Sequence, residues 1–195
     1  MALHDARDVV AESTVVDPLR HGELLMPAVR QVLSEANASA ADLSRIVVGV
    51  GPGPFTGLRV GIVTAKTMAA VLDVSVVGVC TLDVLAAAVR IEGRFAVATD
   101  ARRKEVYWAE YDASRRRIGG PTVAKPDAVA TEGPVAGRGA VLYPSAFPSA
   151  VAPEYPSAAD MARIVHSGEV EMLPPEPLYL RRPDAVELAA HRRAL

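Results

Sequence analysis

The stretch GVGPGPFTGLRVG, Gly49 to Gly61, decides how the rest of the chain is read. Six of its first nine residues are glycine or proline, and an apolar helical pattern follows. A glycine-rich turn that opens a helix is a common phosphate cradle, because backbone N–H groups and the helix dipole both face the anion. The spacing argues against a nucleotide loop here. A Walker-type loop needs two glycines separated by four residues, then Lys and Ser or Thr. Gly51 and Gly57 are separated by five, and Leu58 and Arg59 follow. Gly51, Gly53 and Gly57 also miss the dinucleotide fingerprint by one position. Pro52 and Pro54 remove two backbone donors from a site that would work through such donors. A stiff turn into a helix accounts for the same residues. The prolines fix their own φ, Gly51 and Gly53 take up the conformations around them, and Thr56 is placed to cap the helix. Arg59 and the helix N-terminus would still favour an anion, so a structural turn and an anion site both stay open.

The flanks describe an α/β core. Residues 45–51, RIVVGVG, form an apolar run of strand length, and residues 57–72 carry Leu58, Ile62, Ala65, Ala69 and Leu72 on one helical face. A second apolar strand, VSVVGVC, and a helix, TLDVLAAAVR, follow. Strand, helix, strand, helix is the order of parallel crossover units. Upstream, DVVAESTVV (8–16) reads as a strand. HGELLMPAVRQVLSEAN reads as an amphipathic helix through Leu24, Leu25, Ala28, Val32 and Leu33, with Pro27 near its start. From Arg94 the pattern changes, and RFAVATDARRKEVYWAEYD predicts two antiparallel strands around DARRK. Further on, VAGRGAVLY predicts a strand, and SAADMARIVHSG a helix capped by Ser157 and stopped by Gly168. PPEPLYLRRP predicts an extended segment, and DAVELAAHRRAL a short helix. The change near residues 91–94 divides a first lobe, 1–92, from a smaller second lobe, 93–195.

The totals bound the function. The chain has 195 residues, half of them hydrophobic, which suffices for a sizeable core. A net charge of −2 gives no general pull toward nucleic acid or an anionic membrane. Cys80, the one cysteine, sits in an apolar run and fits a small buried hydrophobe in a reducing compartment. The first residues do not read as a signal peptide, and no apolar run approaches the roughly 20 residues of a membrane span. The expectation is a soluble, cytoplasmic protein without membrane contact.

Several blocks, taken in order, resemble the TsaB (YeaZ) family. They are HGELLMPAV, GPGPFTGLRVG with AKTMA, GVCTLDVLA, DARRKEVYWAEY and PLYLR. The resemblance is dense over residues 17–112 and thinner at YLR. It implies the two-lobe ASKHA fold shared with actin, sugar kinases and Hsp70. It also implies a non-catalytic scaffold that pairs with TsaD, the subunit that transfers threonylcarbamoyl to an adenosine of tRNA. TsaE, an ATPase, would bind the pair, tRNA would be met indirectly, and ATP would act elsewhere in the pathway with no cofactor held here. Family members open with a strand such as ILALDTA, so the resemblance also implies a first lobe truncated at its N-terminus, most simply through a gene start placed too late.

The residues agree with a scaffold. Working ASKHA enzymes clamp ATP with two glycine-rich hairpins, and the second position here is TDARRKE, with Asp100, Arg102, Arg103 and Lys104 but no glycine. No catalytic residue and no metal ligand is assigned. Asp17, His21 and Glu23 fit a helix start better than a metal cluster. The run 115–117 and Arg181, Arg182, Arg192 and Arg193 fit solvated arginines better than tRNA contacts. Trp108, Tyr107 and Tyr111 fit a strand core better than a base-stacking platform. The resemblance places the partner surface, and a possible homodimer contact, on Leu24, Leu25, Ala28, Val32, Leu58, Gly61, Ile62, Ala65 and Ala69. The competing reading is an intrinsic ASKHA-type ATPase or a peptidase.

Overall fold

The computed structural model describes residues 1–16 and 20–181. Asp17, Arg182, Arg192, Arg193 and the helix expected at the C-terminal end therefore lie outside the described residues. Strands β1 (Ala2–His4) and β2 (Val9–Glu12) make an antiparallel hairpin. The amphipathic helix α1 (His21–Glu35) follows. Then come β3 (Arg45–Gly51), α2 (Phe55–Leu72), β4 (Ser75–Cys80) and α3 (Thr81–Ala88). β3 and β4 pair in parallel, with Arg45 opposite Ser75 and Val48 opposite Gly78. This is the crossover unit that the apolar runs around the Gly-Pro loop predict.

The second half is built on a five-stranded sheet in the order β7-β6-β5-β8-β9. Its members are β5 (Phe95–Asp100), β6 (Val106–Tyr111), β7 (Arg117–Ala124), β8 (Val135–Ala136) and β9 (Ala150–Val151). Alternation along β5 serves two cores. Phe95 and Val97 pack with Leu82, Leu85 and Val89 from the α3 region, whereas Ala96 and Ala98 pack with Trp108, Val135 and Phe147. Helices α4 (Arg138–Leu142) and α5 (Ala158–Ser167) complete the elements. The Ser157 hydroxyl accepts from the N–H groups of Ala159 and Asp160, and Gly168 at φ 73° ends α5, as the sequence predicts.

Three local expectations need correction. VAGRGAVLY is not one strand: only Val135–Ala136 pair, and α4 begins at Arg138. Gly139 lies so close to β5 that an added Cβ would sit 2.9 Å from the Ala98 carbonyl carbon, so a helix start nests where a strand was expected. DVVAESTVV is strand only over Val9–Glu12, because its two-stranded sheet offers no partner to Val15 and Val16, which are exposed. Thr56 does not cap α2: the helix starts at Phe55 behind Pro54, and no side chain accepts a capping hydrogen bond.

A strap, residues 173–181, closes the structure. Leu173 and Gly78 exchange backbone hydrogen bonds of 2.7 and 2.9 Å, and the Leu178 N–H donates to the Val50 carbonyl at 2.8 Å. Gly78 makes this approach possible, since a Cβ there would lie 2.4 Å from Val50 Cγ1 and 2.7 Å from the Pro174 oxygen. Gly78→Ala is therefore expected to cost about 1–3 kcal/mol by overpacking. Thermal unfolding followed by circular dichroism should show a Tm several degrees lower, and an unchanged Tm would refute the tight strap contact.

Candidate functional site

The Gly-Pro loop is held from both ends. Gly51 has φ 101°, a left-handed conformation that suits glycine, and Pro52 beside it is fully buried. Phe55 opens α2 and stacks on Tyr179 of the strap, with ring centroids 5.1 Å apart and planes inclined by 27°. The Arg59 guanidinium lies 3.7 Å over the Phe55 ring, and its Nε donates to the Tyr179 hydroxyl at 2.9 Å. The cation that the sequence offered to an anion thus has an aromatic partner and a hydrogen bond within the chain.

The second-lobe turn faces this loop. Arg102, Arg103 and Lys104 all take left-handed φ values, 62°, 55° and 59°. Such conformations cost non-glycine residues of order 1 kcal/mol each and persist only where neighbours hold them. Asp100 Oδ1 accepts the Arg102 N–H at 2.8 Å, the Ala101 N–H donates to the Glu105 carbonyl at 3.0 Å, and the Glu105 N–H to the Arg102 carbonyl at 3.0 Å. Arg181 forms an ion pair with Glu105 and donates to the Ala101 carbonyl at 3.3 Å. One strap therefore ties both turns. Between them is a cavity of about 330 Å³, walled by Phe55, Tyr107 and Tyr179, with Asp100, Arg102 and Arg181 at its polar parts. The structure thus brings Gly53, Phe55, Asp100 and Arg102 together, while Thr56 and Gly57 stay outside the cavity lining. Tyr179 and Arg181 complete the site. Their signal in the sequence was the segment PLYLR, whose spacing alone carries no chemistry.

The apolar stripes expected to meet a partner divide between two directions. Ile62 is 3 % exposed, and Ala65, Ala69 and Val32 are buried as well, against the chain's own core. Gly61 opposes Val48, and Leu24, Leu25, Ala28 and Leu58 are half-buried. The outward apolar side chains are others: Met26 on α1, and Phe55, Val63 and Val71 on α2, with Val63 and Val71 61 % and 79 % exposed. α2 has 18 residues with a mean hydropathy of 1.3, and Ile62, Ala65 and Ala69 are its buried positions. By length and composition alone it could cross a membrane; here it lies on β3 and touches α1.

The remaining candidates are structural. Trp108 and Tyr111 are core residues, and Trp108 stacks on Phe147 at 5.5 Å. The Tyr111 hydroxyl donates to Asp83 at 2.7 Å, and Arg117 Nε lies 3.6 Å from the same carboxylate oxygen. Arg115 Nε donates to the Val89 carbonyl at 3.1 Å, so the arginine run is partly spent on the fold. His4 and His166 stack at 4.6 Å, and among the described residues no three His, Cys, Asp or Glu side chains converge as metal ligands would. Burial pushes the Cys80 thiol up to about 11, with the Asp83 charge adding to the shift. Burial also raises Asp83, against the hydrogen bond from Tyr111 and the charge of Arg117.

Two outcomes follow from these shifts. In the native chain at pH 8, Cys80 should react with a disulfide reagent about 100-fold or more slower than in denaturant, because burial suppresses the thiolate. Equal rates would show an open thiol. The folded chain also binds the Asp83 proton more tightly than the unfolded chain, whose carboxyl titrates near 3.9. Its contribution to stability is therefore present below that value and lost as pH rises through the folded value. Urea titrations across this range should show that Asp83→Asn removes this fall in stability; a variant with the wild-type pH slope would contradict it.

Comparisons with known proteins agree with this geometry. The family model described as "TsaD: tRNA N6-adenosine threonylcarbamoyltransferase" matches residues 17–185. An uncharacterized protein of Mycobacterium tuberculosis is 42 % identical over 183 residues, covering 93 % of this chain and 84 % of that one. An uncharacterized protein of Mycobacterium leprae is also 42 % identical, but this chain spans only 50 % of its length. The "tRNA threonylcarbamoyladenosine biosynthesis protein TsaB" of Bacillus subtilis is 40 % identical over 104 residues, 53 % of this chain and 45 % of that protein. Among solved structures, a Pseudomonas aeruginosa protein described as similar to "peptidase YEAZ" superposes with TM-score 0.76 and 30 % identity over 92 % of both chains. YeaZ from the same organism gives TM-score 0.72 and 29 % identity over 88 % of this chain and 92 % of that one. With its α/β ASKHA fold, its Gly-Pro loop and these relatives, the chain belongs to the TsaB (YeaZ) branch of the TsaD-like family.

Proposed function

We propose that this chain serves threonylcarbamoyladenosine biosynthesis on tRNA as a non-catalytic subunit that pairs with TsaD. The observation that carries the reading is the way the strap bridges the two turns and engages their cations. Arg59 is taken up by Phe55 and Tyr179, and Arg181 is taken up by Glu105 and Ala101. A phosphate clamp would need open backbone donors at both turns. Here prolines, arginines and the strap stand in those places. The chain accordingly works in the cytoplasm through its surface and holds no nucleotide of its own. TsaD takes the outward face of α1 and α2, where Met26, Val63 and Val71 supply apolar area. TsaE engages the resulting pair, and tRNA is met through it. The same face would account for self-pairing when TsaD is absent.

The test is size-exclusion chromatography with light scattering, using this chain and TsaD from the same organism. A one-to-one complex is expected. Val63→Glu with Val71→Glu should weaken it at least tenfold, since a charge at the centre of an apolar contact is left unpaired, and the variant's unfolding curve should match wild type because both positions are exposed. No complex, or a complex indifferent to the two charges, would refute the pairing face. The alternative, an intrinsic ATPase or peptidase, predicts turnover by the lone chain; ATP hydrolysis lost on Asp100→Asn would establish it instead.

A further inference from the structure

A second cavity, of about 950 Å³, shares no wall residue with the one at the junction of the two turns. Three segments enclose most of it: the end of α3, the β6–β7 turn at residues 114–117, and the chain at residues 168–171 after α5. Arg90, Arg115, Arg116 and Arg117 all line it. In a chain of net charge −2 that is a local concentration of cations.

The contacts of these arginines divide them. Arg117 is spent: its Nε lies 3.6 Å from Asp83, its Nη2 3.5 Å from Glu171, and its Nη1 donates to the Cys80 sulfur at 3.8 Å. The other three keep open donors. The Val89 carbonyl, just past α3, accepts from Arg90 Nη1 at 3.3 Å and from Arg115 Nε at 3.1 Å, so two guanidinium groups are held side by side. Arg90 Nη1 also donates to the Ala87 carbonyl at 2.7 Å. These contacts satisfy carbonyls at the end of α3, which is a structural role in itself. They use one nitrogen of each side chain, however, and a guanidinium offers five N–H donors. Among the described residues nothing engages Nη1 and Nη2 of Arg115, or Nε and Nη2 of Arg90. Each such pair is a fork that fits two oxygens of one oxyanion. Arg116 is bonded through its backbone to Asp112, and its guanidinium has no partner among the described residues.

The turn that carries them is fixed in advance. Asp112 Oδ1 accepts the N–H groups of Ser114 at 2.8 Å and Arg116 at 2.9 Å, and Arg115 is held at a left-handed φ of 62°. On the third segment, Glu169 lines the same cavity, and its carboxylate has no partner among the described residues. An ionised carboxylate only accepts hydrogen bonds.

We propose that this cavity binds a free sugar phosphate, a monoester whose phosphate meets Arg90, Arg115 and Arg116 and whose hydroxyls donate to Glu169. Three open guanidinium groups offer more than the two oxygens of a carboxylate accept. A phosphate monoester presents three terminal oxygens and a charge of about −1.5 to −2 at pH 7. An internal phosphodiester presents two such oxygens, and a strand of them would carry repeated negative charge past Glu169. The volume falls within the roughly 300–1,000 Å³ of small-molecule sites. The site is independent of the pairing with TsaD.

Titration calorimetry of the full chain at neutral pH tests this with ribose 5-phosphate and glucose 6-phosphate. The controls are inorganic phosphate, ribose, and a short RNA without terminal phosphates. One-to-one binding of at least one sugar phosphate is expected, at least tenfold tighter than inorganic phosphate, with none of ribose. Arg116→Gln should weaken it at least tenfold and leave the melting curve unchanged, since Arg116 is exposed. Glu169→Ala should narrow the preference for the sugar phosphate over inorganic phosphate. No binding of either sugar phosphate, or binding indifferent to both substitutions, would overturn the proposal. Sugar phosphate bound no better than inorganic phosphate would reduce the site to a general anion patch and overturn it. RNA bound more tightly than both sugar phosphates would assign the arginines to a nucleic-acid backbone and overturn it equally.

Discussion

The structure depends on the strap at residues 173–181. It crosses from Gly78 on β4, past Val50 at the end of β3, to the turn at Ala101–Glu105. Three of its ties are backbone hydrogen bonds, which are costly to leave unmade once buried. Two glycines make the path possible. Gly78 gives the strap room to approach, and Gly51 turns the chain at the head of α2. The aromatic and cationic groups then lock in sequence: Phe55 on Tyr179, Arg59 on both, Arg181 on the second turn. None of these contacts is large alone. Together they bridge the junction where an ASKHA enzyme would need access to two phosphate hairpins, and they wall the cavity that remains there.

These contacts bear on how the Gly-Pro loop is read. A loop of this shape can hold phosphate or hold a helix, and the deciding variable is what occupies its donors. Two prolines have already withdrawn their N–H groups, and Arg59 has turned toward aromatic rings. What remains is a rigid start for α2, a long apolar helix of which only one face is buried. A rigid, half-exposed apolar helix is what a binding surface requires, because little ordering entropy is left to lose on association.

Much of this was legible in the sequence where local rules act alone. The strand RIVVGVG, the helix behind it, the Ser157 cap and the Gly168 stop depend on neighbours a few residues away, and each forms as predicted. The reading of VAGRGAVLY missed because Gly139 answers to Ala98, a contact across about forty residues that periodicity cannot register. Burial of part of the expected partner stripe has a related reason. Ile62, Ala65 and Ala69 are the clearest stripe in α2, and the clearest stripe is the one a helix gives to its own sheet. Val63 and Val71 look incidental in the sequence, and only the packed fold shows them left outside. The same holds for Tyr179 and Arg181, whose roles exist only across the junction.

The central claim is that the chain enables threonylcarbamoyl transfer without performing it. Its most direct test is the yield of threonylcarbamoyladenosine on tRNA, read by mass spectrometry after nuclease digestion. The reaction would contain TsaD, TsaE and the enzyme that makes threonylcarbamoyl-adenylate, with this chain present or omitted. Modified nucleoside that forms only when the chain is added, and never from the chain without TsaD, is the predicted result. Equal yield with and without the chain would contradict the account.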